Sequence, residues 1–582
     1  MSIGLKIVFT GSVQYKIARY LFAGSTTDMN ISRAVQTLIL LGSLLLPILP
    51  AAAERPVVVR KWGRFEHEFK STAKYANPVQ EARLAVVFTS PSGESTTVNA
   101  FWDGGKSWKV RFSPNEVGKW LYSTACSDPN NVGLEGQKGS FLVTASSAKT
   151  RFDQHGPVTI SHDGRYLIHE DGTPFFWLAD TAWNAALLGS PSDLVLYTDQ
   201  RVRQKFTAVQ WVATQWRAAP QGDAEKHVAF NGKESISINP EFFQRLDERI
   251  NEFDRAGLLS APVMLWAIAG GSNPAVNPGY SLPEDQAILL GRYMVARWGA
   301  HNVLWILAGD GDYRGKNAEK WKRIGRGIFG DQSHAPVTLH PGGMQWVAED
   351  FKDEPWYDVI GYQSGHGDDE KSLRWLTSGP PAQYRSKGPV RPIINLEPPY
   401  ENHIAYQSRK PITPELVRRA VYWSLLITPT AGVTYGGHGV WGWDDGSKTP
   451  TDHPTTGIPM PWREALQMPA AKQMVEVATL FNTVPFWRLR PAQALLASQP
   501  GDQAAARFIA AASTDSGDFD VIYIPEGGQV EVRQPALPPS FKSTWFNPRE
   551  GTWSNVVPSA NGRIFHFSAP GGGDWVLVIQ AN

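Results

Sequence analysis

The stretch PIINLEPPYEN, residues 392–402, decides the fold. Its first five residues are a short apolar run with β-branched isoleucines, the pattern of a strand buried on both faces. The run stops on a carboxylate, Glu397, and Pro398-Pro399 ends the strand because neither proline can donate to a ladder. An apolar strand that carries an acid to its C-terminal tip and then breaks is how a β/α barrel builds a catalytic rim. NVLWILAGD, residues 302–310, repeats the arrangement upstream and ends on Asp310. Two strand-tip carboxylates in one barrel point to hydrolysis of a glycosidic bond.

Working outward from these stretches, strand-like and helix-like segments alternate over residues 155–480, which calls for a parallel sheet. The strands read as 175–179, 208–212, 259–266, 303–308, 336–339, 358–362, 393–396 and 432–435. Eight is the number that closes a TIM barrel. The helices carry clear end signals. In NPEFFQRLDERINEFDRAG, Asn239 stands at the N-cap, Pro240 at the first helical position and Gly257 at the stop. Thr413 and Pro414 open another helix in the same way. The expected fold class is α/β: a (β/α)8 TIM barrel flanked by an N-terminal and a C-terminal antiparallel β-sandwich.

The residues that follow each strand form a set. In order they are Asp180 and Trp183 (WLADTAW), Gln215 and Trp216 (ATQW), Trp266, Asp310 (AGDGDYR), His340 (TLHPGG), Gln363 and His366 (YQSGH), Glu397 with Tyr400 and Glu401 (EPPYE), and His438 and Trp441 (GGHGVW). A lone rim histidine is as readily an ordinary hydrogen-bonding residue as a substrate contact. A solvated face does not select Trp, His and Gln at consecutive strand ends, so the set as a whole reads as a sugar site. Asp312 competes with Asp310 for the acid role, and Glu401 with Glu397 for the nucleophile. A metal site built from His340, His366, Asp310 and Asp180 is disfavoured because no HxH or HExxH spacing is present, and no cofactor is expected. GGHGVWG lacks the lysine and the helix start of a phosphate loop.

Composition agrees with this reading. The net charge of +1 gives no electrostatic support to a nucleic-acid or membrane-surface role, and the 23 Trp and 17 Tyr suit carbohydrate, although most must be core. The one cysteine, Cys126, excludes an intramolecular disulfide and reads as a buried free thiol. Residues 29–53 resemble a secretory signal: Arg33 in the n-region, an apolar stretch at 38–49 broken by Pro47, and Ala51-Ala52-Ala53 before Glu54. This implies a start at Met29, cleavage after Ala53 and a secreted or periplasmic mature protein with no membrane anchor. Residues 1–53 are thus extension and signal.

Short alternating strands punctuated by Ser92-Gly93 and Gly104-Gly105 make residues 55–148 an immunoglobulin-like sandwich. Its Trp102, Trp108 and Trp120 read as core before they read as a sugar platform. Strand patterns return over 485–582, a second β-sandwich expected to buttress the barrel.

WLADTAW, WILAGD, the His-Pro of TLHPGG, YQSGH, the ExxYE of residues 397–401 and TYGGHGVWGW resemble, in the same order, the apiosidase-like glycoside hydrolases of family 140. FSPNEVGKWLYST resembles the sandwich that precedes such barrels, and WFNPREG with DWVLVI resembles the C-terminal domain catalogued as collagen-binding. The family usually has GGD where this chain has Ala308-Gly309-Asp310. The resemblance implies an enzyme that releases apiose, a branched furanose, from a pectin side chain. It implies an acid/base at strand four, here Asp310, and a nucleophile at strand seven, here Glu397. Retention of configuration needs carboxyl groups about 5–5.5 Å apart, inversion about 6.5–9.5 Å. The expected activity is therefore a secreted, retaining glycoside hydrolase on a plant or microbial polysaccharide or oligosaccharide. The competing expectations are an endo-acting hydrolase of the same barrel type, a non-catalytic glycan-binding protein, and a matrix adhesin that works through its end domains.

Overall fold

The computed structural model describes residues 57–147, 149–330, 332–384 and 389–582; the export signal read at 29–53 lies outside the described residues. At the centre stand eight parallel strands. They are β1 Trp177–Thr181, β2 Ala208–Val212, β3 Leu259–Trp266, β4 Trp305–Gly311, β5 Val337–Pro341, β6 Ile360–Gln363, β7 Ile393–Glu397 and β8 Gly432–Gly436. They pair in the order β5-β4-β3-β2-β1-β8-β7-β6, and a single parallel bridge from Thr338 to Val359 joins the two ends. The sheet is thus nearly closed into a barrel. Every residue of these strands is buried except Asp310, which is why they read in sequence as continuous apolar runs.

Helices cover the outside. The longest are Pro191–Arg203, Pro240–Ala256, Glu284–Trp298, Lys316–Phe329, Pro414–Leu426 and Pro469–Thr483, with shorter ones at Ala348–Phe351 and Glu370–Ser378. Gly257 ends its helix in the left-handed region at φ 72°, as its position implied. The Thr413 side chain caps by accepting from Leu416 N at 3.3 Å. Asn239 does not cap; its Nδ2 donates to Val228 O instead, at 3.2 Å.

The strand ends differ from the sequence reading where ladders outlast the apolar run. β1 extends through Asp180 and Thr181 because Tyr435 and Gly436 of β8 remain available to pair. β4 runs through Asp310 to Gly311, opposite His340 and Pro341 of β5.

Before the barrel, a five-stranded and a three-stranded sheet share a core that includes Phe65, Phe88, Trp108, Trp120 and Phe141. Trp108 and Trp120 are core residues, while Trp102 stays part-exposed with its Nε1 donating to Gly105 O at 3.0 Å. Cys126 is half-buried at the end of a strand rather than buried. The fully buried Arg297 joins these sheets to the barrel, donating to Asp103 at 2.8 Å and to Asp247 at 2.7 Å, and Arg111 adds a second 2.7 Å bond to Asp247. After the barrel come a six-stranded antiparallel sheet and a three-stranded one. Tyr523 of the larger sheet stacks on Tyr422 of a barrel helix at 4.8 Å, and buried Asp574 pairs with Arg418 at 2.8 Å.

Candidate active site

A cavity of about 680 Å³ opens at the C-terminal ends of the strands, within the size range of small-molecule sites. Its wall is aromatic: Trp183, Trp216, Trp266, Tyr400, Tyr406 and Trp441. Asp310 and Glu397 face it from strands that are not neighbours, β4 and β7.

Both strands are irregular where they deliver their acids. The register of β4 against β5 shifts on either side of Gly309, and Asp310 takes φ 52°, a left-handed conformation costly for a residue with a Cβ. The register of β6 against β7 shifts between Tyr362 and Gln363, so that Gln363 lies opposite Glu397. Bulges of this kind re-aim side chains at barrel rims. Gly309 is required by close packing: a Cβ there would stand 2.6 Å from the Trp266 ring.

The two carboxyls live in different surroundings. Glu397 is held by two histidines, with Oε1 3.0 Å from His366 Nε2 and Oε2 3.3 Å from His340 Nε2. Tyr400 N–H donates to His366 Nδ1 at 3.3 Å, which leaves Nε2 as the donor toward Glu397. Asp310 Oδ1 accepts one hydrogen bond, from Gln363 Nε2 at 2.6 Å, and Gln363 is itself fixed by Pro341 O at 2.8 Å. About a quarter of the Asp310 side chain reaches the cavity.

These surroundings drive the pKa values apart. Burial, and then the Glu397 charge, push Asp310 up to about 6, against the opposing pull of His340 and Gln363. Burial would also raise Glu397, but His340 and His366 override it and hold that carboxyl well below the usual range. Below about pH 6 one carboxylic acid and one carboxylate thus share a pocket, an arrangement suited to acid-assisted displacement. Asp312, also on the cavity wall, suits the acid role less: it is nearly half exposed, and its hydrogen bond to Arg314 holds its pKa below the usual carboxylate range.

Comparison with known proteins accords with this geometry. The profile described as "Apiosidase-like, catalytic domain" matches residues 161–488, more than half of the chain. The chain belongs to the apiosidase-like family. A domain of unknown function matches residues 58–127, and the "Putative collagen-binding domain of a collagenase" matches 490–580. Among solved structures, a "putative glycoside hydrolase from Bacteroides vulgatus" is 19% identical over 90% of this chain and 99% of that one, with a TM-score of 0.68. A second glycoside hydrolase is 22% identical over 75% of this chain and 99% of the other, with a TM-score of 0.64. A family 5 enzyme from Bacteroides vulgatus is 20% identical over 74% and 95%, also at 0.64. At these identities the likeness is one of fold. No curated protein matches the chain.

Within this apiosidase-like domain, the residues expected at the site fall into two groups. Trp183, Trp216, Trp266, Gln363, His366, Tyr400 and Trp441 line the cavity with Asp310 and Glu397. The others do not reach it. Asp180 is fully buried and turned to the helix Pro191–Arg203, where it accepts from Arg201 Nε at 2.8 Å and Tyr197 Oη at 2.7 Å. Gln215 Oε1 accepts from Ala229 N at 3.0 Å and braces a loop. Glu401 accepts from Ala470 N at 2.9 Å and Tyr435 Oη at 2.7 Å, anchoring the start of the last barrel helix. His438 Nδ1 accepts from Trp441 Nε1 at 3.2 Å, and its Nε2 meets Gly457 O at 3.1 Å. His340 lies beneath the floor, between the two acids. Among the described residues no group of three or more His, Cys, Asp or Glu is arranged to hold a metal ion; His340 and His366 both turn to Glu397 instead.

The cavity also holds residues that the strand-tip pattern does not announce. His403, Tyr406, Arg217, Asp452 and His453 come from loops. Arg217 Nε donates to Asp452 at 3.0 Å and Ser272 N to the same carboxylate at 2.9 Å, tying the loops after β2, β3 and β8 together at one side of the mouth. His403 stacks on His366 at 4.2 Å and, buried beside it, is held neutral. The only sequence cues were the histidine just after PPYEN and the His-Pro of the loop after β8.

Proposed function

We propose that the protein is an exported, retaining glycoside hydrolase that acts on a plant or microbial polysaccharide, with Glu397 as nucleophile and Asp310 as acid/base. The single observation that carries this is the pairing of a carboxyl whose pKa is raised to about 6 with one held ionised, both at the edge of one aromatic pocket. In the first step Glu397 attacks the anomeric carbon while Asp310 protonates the departing oxygen. In the second, Asp310 takes a proton from water, which displaces Glu397. Trp216, Trp266 and Trp441 line the pocket but are almost wholly buried, so they wall it rather than offer open faces. Family membership favours a furanosidase of apiosidase type working on a pectin side chain. We further read the central sheet as a (β/α)8 TIM barrel over 155–480, flanked by sandwiches at 55–148, immunoglobulin-like, and 485–582, with export directed by residues 29–53.

The test is hydrolysis of a panel of plant and bacterial polysaccharides by the chain from Glu54 onward, beside Glu397→Ala and Asp310→Ala. Sugar released by the wild type alone supports the assignment, and azide rescue of Asp310→Ala secures the acid/base. Equal release by all three refutes the site. No release by any, with glycan still bound, favours a binding protein.

A further inference from the structure

His340 ends β5 with its side chain wholly buried, and it does not line the cavity. Its ring stands between the two acids: Nε2 is 3.3 Å from Glu397 Oε2 and Nδ1 is 3.9 Å from Asp310 Oδ1. Among the described residues neither nitrogen has a partner at hydrogen-bond geometry, so its contacts to Glu397 and Asp310 are ion-pair contacts. Trp183 packs edge-on against the ring at 5.4 Å, and Trp266 lies tilted to it at 6.5 Å. We infer that His340 is a positioning residue, an imidazolium that serves as the shared counter-ion of Asp310 and Glu397 and stays with the single negative charge as it passes between them. The inference rests on the two-carboxylate reading above.

The charge movement follows from the chemistry. Before reaction Glu397 is a carboxylate and Asp310 carries a proton. When the Glu397 oxygen bonds to the anomeric carbon, the glycosidic C–O bond breaks and its oxygen takes the Asp310 proton. The ester at Glu397 is now neutral and Asp310 bears the charge. When water attacks, its proton returns to Asp310 and the electron pair of the ester bond returns to Glu397. The pair therefore carries one negative charge at each resting stage, first on one side of the His340 ring and then on the other. An imidazolium, with an N–H on each side, can face both positions without moving. A buried cation is costly unless it is paired, and here one partner is always ionised. Burial disfavours the charged ring, but Glu397 and Asp310 outweigh it and raise the His340 pKa. The other charged or titratable neighbours act one step away: His366, His403 and His453 on Glu397, Arg217 and Tyr313 on Asp310, and Tyr400 and Tyr406 on both acids.

Two measurements test this. The first is 15N NMR of histidine-labelled protein, wild type beside Glu397→Gln, with His340→Gln to assign the signal. His340 is expected to carry protons on both nitrogens at pH 7 in the wild type and to titrate about 1–3 pH units lower in Glu397→Gln. A singly protonated His340 at pH 6 in the wild type overturns the proposal, whether or not any glycoside is cleaved. The second is the pH profile of kcat/KM for His340→Gln. Loss of the cation should raise both carboxyl pKa values and carry both limbs of the bell upward by about 1–3 units, with KM little changed. A raised KM with the limbs in place makes His340 a substrate contact and refutes the proposal. A lowered Tm with an unmoved bell makes it a packing residue and refutes it equally. Should the wild type bind glycan but cleave nothing on the panel, weight moves to the binding-protein reading, and the NMR titration still decides the charge on His340.

Discussion

Replacing Gln363 by Leu should move the alkaline limb of activity upward. Asp310 can protonate a leaving oxygen only while it holds its proton, and its pKa lies at about 6. The protonated fraction therefore falls roughly tenfold per pH unit above that value, and kcat/KM falls with it. The Gln363 N–H, 2.6 Å from Asp310 Oδ1, favours the ionised form. A hydrogen bond to a charged group contributes about 1.5–3 kcal/mol, and one pKa unit corresponds to about 1.4 kcal/mol. Removing the bond should thus carry the limb from about 6 to about 7 or 8. The assay is kcat/KM against pH on two substrates, one with a sugar leaving group and one with a nitrophenolate. Nitrophenolate departs without a proton, so its alkaline limb should be shallow or absent. The reasoning fails if both substrates share the same alkaline limb, or if Gln363→Leu leaves the limb in place or moves it down.

Three further outcomes follow from particular contacts. Asp310→Asn should be inactive yet melt higher than the wild type above pH 6. A carboxyl raised from 3.8 to about 6 weakens the fold as it ionises; the penalty is absent near pH 4, complete above 6 and about 1–3 kcal/mol, so the two melting curves should converge at pH 4. Asp180→Asn should leave KM unchanged in the surviving fold but destabilise by about 3–5 kcal/mol, because it strips a fully buried Arg201 of its partner; a KM effect without a stability loss would restore Asp180 as a sugar contact. Glu401→Gln should keep most activity and cost about 1 kcal/mol by thermal melting, since its carboxylate holds the amides of Ala470 and Ala471 at a helix start.

The barrel was legible because its strands are buried throughout and so read as apolar runs, and because Thr413, Pro414, Pro240 and Gly257 mark helix ends by local backbone chemistry. The position of Glu397 and Asp310 at the cavity was legible for the same reason: each closes such a run. Asp180 also follows an apolar run, yet it turns away from the pocket. There the ladder continues to Thr181, and side-chain alternation along the strand sends Asp180 to the helix side, where Arg201 waits. An error of two residues in a strand end thus becomes an error of function. Glu401, Gln215 and His438 were read as substrate contacts, but each is used up on backbone or buried partners that lie far off in sequence or in loops. His403, Tyr406, Arg217 and His453 stayed hidden because they lie in loops, where no periodicity marks the direction of a side chain. The bulges at Gly309 and Gln363, which aim both acids, arise from pairing between strands and leave no trace in either strand's own composition.

The measurement that tests Glu397 as nucleophile most directly is hydrolysis of a cleaved glycoside in the presence of methanol, with NMR of the methyl glycoside formed. A methyl glycoside does not mutarotate, so its anomeric configuration records the reaction. A product with the configuration of the substrate, absent with Glu397→Ala, is the expected result. A product of opposite configuration, or the same product from Glu397→Ala, would contradict a glycosyl ester on Glu397.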